Sequence, residues 1–486
     1  MSETIEQPNQ GGISAAQVEQ ITAAEDQAVS VAYVIFISAV AAIGGFLFGF
    51  DSGVINGTVG ALEKAFNATD VATGFNVASV LLGCALGALM AGPVADKLGR
   101  KPVMIVTAIV FAISAYGSGI ADSSMAFIFY RLLGGLGVGA ASVLAPAYIS
   151  EVAPASLRGR LATLQQMAIV LGLFAAFMSN FTIASYTGGA SEPGWFGIAA
   201  WRWMFWMEII PASLFFIGVI LIPESPRFLV AQGRESDAKS VFERIAPGVA
   251  NAQVSEIKRS LQSSHKPALR DLFISGTRKI HPIIWVGVAL SVFQQFVGIN
   301  VVFYYGAELW QAAGFDESQS LFINVLGGVT NVVSTFIAIA LIDKIGRKPL
   351  LIIGSSGMAV MLATLTWLFS TAGLDEAGKL ALTEGMGTLA LVAANLYIVF
   401  FGMSWGPVVW VLLGEMFNNR IRGAALALAA SAQWLANFVV TMTFPILLTQ
   451  TGLGGAYGLY ASSALISLFF VLRYVKETRG RRLEEM

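Results

Sequence analysis

Three charged side chains lie inside long apolar stretches of the 486-residue chain: Asp51, Arg131 and Glu208. A charge in the middle of a bilayer costs at least ~2.5–3.5 kcal/mol, so such residues usually pair and usually carry function. Uncharged amides sit in similar surroundings: Gln165, Gln166, Gln294, Gln295, Asn300, Asn324, Asn331, Asn395, Gln433 and Asn437. An amide both donates and accepts without a fixed charge. That chemistry suits a ligand presenting several hydroxyls, and Trp adds a flat apolar face with one donor. The plainer reading of each single amide is a hydrogen bond between helices, about 0.6 kcal/mol per contact. Span 7 argues for more, because it holds Gln294, Gln295 and Asn300. Gln295 and Asn300 diverge on a regular helix, but Gly298 between them permits a break, and broken helices mark transporter sites.

Composition says what must position these groups. Hydrophobic residues make up 56% of the chain and charged residues 12%, about half the charge of a soluble domain, and mean hydropathy is +0.71. Twelve apolar runs are each long enough to cross a membrane as a helix, at approximately 31–55, 73–95, 103–121, 126–149, 162–183, 203–222, 282–306, 319–341, 350–370, 388–413, 424–447 and 455–472. They are too long for barrel strands, so an all-α integral membrane bundle is expected. A net charge of −1 leaves no basic field for nucleic acid. One cysteine, Cys84, and two histidines, His265 and His281, argue against a disulfide, a thiolate cluster or a His-rich metal site. No metal, cofactor or enzymatic triad is expected. Gly135-Leu-Gly137-Val-Gly139 lies within span 4, follows no strand, and reads as helix packing.

Twenty-five of the 29 Lys and Arg residues fall on one face of this topology. Both termini are therefore expected in the cytoplasm, with the protein multi-pass in the inner (plasma) membrane. The first thirty residues lack Lys and Arg, so they do not read as a secretory signal.

The chain also repeats itself. Asp96-Lys-Leu-Gly-Arg100-Lys-Pro follows span 2, and Asp343-Lys-Ile-Gly-Arg347-Lys-Pro follows span 8. Glu151 with Arg158 after span 4 matches Glu415 with Arg422 after span 10; Pro223-Glu224-Ser-Pro-Arg227 after span 6 matches Lys476-Glu477-Thr-Arg-Gly after span 12. Two six-helix halves joined by a polar segment is an alternating-access architecture. The divisions expected are a tail, 1–30; an N-terminal bundle, 31–223; a linker of short surface helices, 224–280; a C-terminal bundle, 281–475; and a tail, 476–486. A carboxylate and a guanidinium from different helix ends can pair. The expectation is that Asp96, Arg100, Glu151, Arg158, Glu224, Arg227, Asp343, Arg347, Glu415, Arg422 and Glu477 form a cytoplasmic gate clamping the two bundles.

Gly92-x-x-x-Asp96-x-x-Gly99-Arg100-Lys101, Pro223-Glu-Ser-Pro-Arg227, Gln294-Gln-Phe-Val-Gly-Ile-Asn300 and Gly406-Pro-Val-Val-Trp410 resemble the sugar porter family of the major facilitator superfamily over nearly the whole chain. Within it the chain looks most like bacterial glucose–proton symporters. The family tail usually reads Pro-Glu-Thr-x-Gly, and Lys476 replaces the Pro. The resemblance implies that Gln166, Gln294, Gln295, Asn300, Asn331, Trp410 and Gln433 hold the sugar and that Phe48, Tyr304, Leu173 and Trp434 line the pocket. An apolar Leu173, where xylose-type members carry Gln, favours a hexose. The resemblance further implies proton coupling through Asp51 and Arg131, with Glu208 as a second acid. The expected function is hexose–proton symport, most of all of glucose, by a monomer whose partners are sugar, proton and membrane lipid. Passive hexose diffusion and pentose symport are the alternatives. A protonophore separates the first from symport.

Overall fold

The computed structural model describes residues 30–263, 272–274, 279–374, 380–417 and 421–479, without the side chains at 155, 156, 158, 159, 162, 262 and 263. The tail 1–29, the Arg158 side chain and the end of the chain after Arg479 lie outside the described residues.

Helices dominate. The first half contains α1 (Val31–Val54), a 3-10 turn (Ile55–Gly57), α2 (Val59–Phe66), α3 (Asp70–Leu98), α4 (Arg100–Ile120), α5 (Ser124–Val152), α6 (Ala155–Thr187), α7 (Ala200–Trp206) and α8 (Ile209–Leu221). Three short surface helices follow: α9 (Pro226–Ala231), α10 (Glu235–Ile245) and α11 (Ala250–Ser263). Helix α10 buries one apolar face, Ala238, Val241, Phe242 and Ile245. The second half contains α12 (Pro282–Phe296), α13 (Ile299–Tyr304), α14 (Gly306–Ala312), α15 (Glu317–Ile345), α16 (Arg347–Thr371), α17 (Glu384–Phe400), a π-turn (Phe401–Trp405), α18 (Gly406–Met416) and α19 (Arg422–Tyr474).

Eleven helical stretches among the described residues are long and apolar enough to cross a membrane. The last is 53 residues long and turns at Gly452, where φ is +66°. It holds two spans, which makes twelve. Leu86, Met90, Val106, Trp367 and Phe336 are exposed on the flanks, as expected of helices solvated by hydrocarbon rather than water.

Local chemistry sets the helix ends. At one end of the bundle, Thr69, Ser123 and Thr383 accept the first-turn N–H groups of α3, α5 and α17. Asp316 and Gln319 form a capping box on α15; each device satisfies orphan donors. At the other, basic end, a single residue separates α3 from α4 and α15 from α16. Gly99 and Gly346 take φ of +103° and +102° there, a region L side chains rarely enter. A Cβ at either glycine would also lie 2.3 or 2.8 Å from a carboxylate oxygen of Glu224 or Glu477.

Small residues let helices touch. Cβ atoms on Gly135 and Gly139 would lie 2.0 and 2.1 Å from the carbonyl oxygens of Val80 and Cys84. The glycine run of α5 is thus the contact face against α3, the close approach that small residues allow in membranes.

Candidate functional site

Span 7 is interrupted. Helix α12 stops at Phe296, Gly298 adopts φ +87°, and α13 restarts at Ile299. The break turns Asn300 back toward α12, where its amide donates to Gln295 Oε1. Gln295 Nε2 lies 3.4 Å from Gln294 Oε1. Gln294 Nε2 donates to the carbonyls of Trp405 (2.7 Å) and Gly406 (3.1 Å). Those carbonyls lie at the end of the π-turn, which shifts the hydrogen-bond ladder of span 10. One chain of amides therefore runs from Asn300 to the start of α18, the helix that carries Trp410. Asn331 is buried on α15, its Oδ1 3.2 Å from where a Cβ on Gly402 would lie. It approaches the same π-turn from the other side. Trp410, on α18, is 42% exposed.

The first half meets this set through aromatic contacts. The Phe48 ring of α1 lies 5.9 Å from the Trp434 ring of α19. Tyr304 lies beside Asn437, whose Nδ2 is 3.4 Å from its hydroxyl. Gln433 is partly buried, and its Oε1 is enclosed without a partner among the described residues. Gln166 is partly buried on α6, one residue after Gln165, whose amide presses on Gly45 of α1. Leu173 packs onto α1 at Gly53 and does not border the cavity described next. Asn324, Asn395 and Asn437, counted among the in-span amides, bond to Asn56, Thr330 and Tyr304; these are interhelical contacts.

Asp51 (α1) and Arg131 (α5) are each 1% exposed and pair at 2.5 Å. Asp51 Oδ2, Arg131 Nε and Nη2, and both oxygens of the equally buried Glu208 have no partner among the described residues. A cavity of about 10 Å³ touches Asp51 and Arg131 on one side and Phe48, Tyr304 and Trp434 on the other, with Cys84 in its wall. The ion pair and the aromatic rim thus share one small space, about the size of one water.

At the basic end the two halves repeat each other atom for atom. Arg100 binds Asp96 at 2.9 Å and Glu151 through two nitrogens. Arg347 binds Asp343 at 3.0 Å and Glu415 in the same way. Glu224 accepts the backbone N–H groups of Arg100 and Lys101; Glu477 accepts those of Arg347 and Lys348. Ser225 and Thr478 donate their hydroxyls to Glu151 and Glu415 at 2.5 and 2.6 Å. The substitution of Pro by Lys476 leaves this arrangement intact. Burial raises the Glu224 carboxyl above its ordinary range, against its backbone donors. At Glu477 burial acts the same way, but the N–H groups of Arg479, Arg347, Lys348 and Thr478 outweigh it and hold the carboxyl low.

One expectation is corrected here. The charges were expected to clamp one bundle to the other, yet the Arg100 and Arg347 clusters each join helix ends of their own half. Arg422 donates to the Phe417 carbonyl and Arg227 is exposed. The physical reason lies at the opposite end, where the halves meet. There Asn56 Nδ2 donates to the Phe303 carbonyl, and its Oδ1 accepts from Ala307 N–H and Asn324 Nδ2. Glu317 accepts the Ala190 N–H at 2.7 Å. With the far ends joined, each arginine finds its carboxylates on its own side. Sequence reasoning missed Asn56, which lies just past the counted end of span 1. It also missed Ser225 and Thr478, whose only signal was their equivalent place in the repeat.

The chain matches the sugar (and other) transporter family model over residues 37–486. It is 54% identical to the glucose transport protein of Synechocystis sp. over 458 residues, covering 94% of this chain and 97% of that protein. Among solved structures it is similar to the partially occluded inward-open conformation of the xylose transporter XylE from E. coli, at 36% identity and a TM-score of 0.80, covering 93% and 100% of the two chains. It is also similar to the proton:xylose symporter XylE bound to 6-bromo-6-deoxy-D-glucose, at 38% identity and 0.75, covering 93% and 98%. With the family model spanning all but the first 36 residues, the chain belongs to the sugar transporter family of the major facilitator superfamily.

Proposed function

We propose that this protein imports a hexose, glucose above all, together with a proton, by alternating access. The observation that carries the reading is the shared cavity. The aromatic rim of the amide cluster and the Asp51–Arg131 pair border the same small space, so a change of charge at one is felt at the other. Gln166, Gln294, Gln295, Asn300, Asn331, Trp410 and Gln433 would hold the sugar, with Phe48, Tyr304 and Trp434 closing over it. The likeness to a glucose transport protein supports the hexose, and that to a proton:xylose symporter supports the coupling.

In this mechanism protonation neutralises Asp51 and frees Arg131 to turn to Glu208. The first half can then rock against the second, carrying sugar and proton together. Release of the proton restores the pair. The membrane potential contributes ~2.3 kcal/mol per charge per 100 mV. We take the basic end, with both termini, as cytoplasmic, and residues 31–223 and 281–475 as the two rigid halves. The far-end hydrogen bonds of Asn56 then close the outside, in keeping with the likeness to an inward-open structure.

The test is radiolabelled glucose uptake in proteoliposomes, with and without an imposed pH gradient, competed by xylose and fructose. Accumulation above equilibrium that requires the gradient supports symport. Equilibration without accumulation assigns facilitated diffusion instead. Preferential competition by xylose would move the substrate to a pentose.

A further inference from the structure

Glu308 stands apart from the sugar and proton groups already described. It lies on α14, beyond the membrane-spanning stretch that ends at Tyr304, and on the seam where the two halves join. A Cβ at Gly60, on α2 of the opposite half, would lie 2.6 Å from Glu308 Oε1. The carboxyl therefore rests directly on the other half's backbone at Gly60, which favours its charged form. The charged groups facing it are Glu63 and Lys64 from α2 and Glu317 from α15. The 3-10 turn beside it, Ile55–Gly57, has no titratable residue. Asp70, at the start of α3, acts on Glu63.

Two acids thus oppose a charged Glu308 and one lysine favours it, in a place that the closed seam leaves only partly open to water. When the halves part at this end, the same carboxyl returns to water. A group whose charged form is penalised only in the closed state must bind a proton as the seam closes.

We propose that Glu308 is a second proton-binding residue, reached from the far end, whose protonation closes the gate there. The reading rests on the orientation proposed above, in which that end faces outward. Enclosure first, and then the charge of Glu63, push the carboxyl up to about 7 in the closed seam. A carboxyl in open water titrates near 4.3. The sign follows. Between those values closure takes up a proton, so the closed form gains as pH falls, by up to about tenfold per unit across that window. Above about pH 7 the gain is lost. An acidic exterior would thereby help to shut the outer gate behind a loaded sugar.

The experiment is a spin-label distance across the seam in proteoliposomes. Labels go on Ala65→Cys and Ser318→Cys, both exposed and one on each half, with the only cysteine removed by Cys84→Ser. The short-distance population should grow as pH falls from 8 to 5, and should be large at both pH values in Glu308→Gln. Lys64→Gln should move the midpoint upward, because it removes the one favourable charge. The response should persist in an Asp51→Asn background, which separates it from titration of the buried pair. It should also persist if uptake assays show no coupling, which separates it from the transport reading. A pH response unchanged in Glu308→Gln, a Lys64→Gln midpoint that stays or falls, or no response in the parent overturns the proposal.

Discussion

Arg131 Nη1 lies 2.5 Å from Asp51 Oδ1, both side chains are almost wholly buried, and the remaining polar atoms of the pair have no partner among the described residues. A purely structural ion pair would be expected to satisfy its other lone pairs and protons. This one leaves three polar atoms without a partner among the described residues, as are both oxygens of Glu208, which lies within electrostatic reach of the pair. Asp51→Asn should keep glucose exchange and lose pH-driven accumulation. The Asn can still accept from Arg131, so the thermal midpoint should fall only modestly. Arg131→Ala strands two buried carboxyls and should cost about 3–5 kcal/mol. Uptake against a gradient and thermal unfolding of the purified variants check both. Accumulation retained in Asp51→Asn would remove the proton from this pair.

The amides should separate by what they already bond. Gln294 holds two carbonyls at the π-turn, whereas Gln433 Oε1 holds nothing. Gln433→Leu should therefore weaken glucose binding about tenfold, the worth of one good hydrogen bond, and leave thermal stability unchanged. Gln294→Leu should lose both affinity and stability. Titration of glucose against tryptophan fluorescence, together with a melting curve, distinguishes them. Equal stability losses would mean that Gln433 is a structural amide.

The repeated charge clusters predict a symmetric phenotype. Arg100 and Arg347 each grip a carboxylate with two nitrogens and also bond a backbone carbonyl of the preceding helix. Lysine cannot reproduce that fork. Arg100→Lys and Arg347→Lys should each lower turnover several-fold with KM little changed, because neither touches the sugar amides. Transport kinetics in proteoliposomes check this. A selective rise in KM would contradict it.

Much of this was legible in the sequence because membrane helices write themselves in hydropathy, and the repeat in charge. The Asp96/Arg100 and Asp343/Arg347 motifs by themselves mark two like halves. Gly298 marked the break in span 7 because φ of +87° admits few other residues. The π-turn at Phe401–Trp405 was not read from the sequence, although Pro407 just after it has no N–H for the Met403 carbonyl and so disturbs the hydrogen-bond ladder there. The partners of the basic-end charges were illegible for another reason. Which half a carboxylate serves depends on how the halves tilt, and that is decided at the opposite end, by residues such as Asn56 that look unremarkable in an apolar run.

Asn56 makes the last prediction, because it is the hub of that distant seam. One side chain joins three groups of the other half: the Phe303 carbonyl at 2.9 Å, the Ala307 N–H at 3.2 Å and Asn324 at 2.8 Å. Two of these are backbone groups flanking the bend at Tyr305, so the seam is held where span 7 is already interrupted. Each bond contributes about 1 kcal/mol net, and all three are lost when the halves part there. Asn56→Ala should therefore shift the balance toward the state open at the far end by roughly ten- to a hundredfold, since 1.4 kcal/mol is tenfold. Asn56→Asp keeps the acceptor for Ala307 but loses the donor to Phe303, and should fall between. Labelling of Ala307→Cys, 3% exposed in the closed seam, by a membrane-impermeant maleimide reads the shift as a faster reaction. The sugar amides are untouched, so glucose should still protect or expose that cysteine in the variant. An unchanged labelling rate would mean that the halves are held at that end by apolar packing alone.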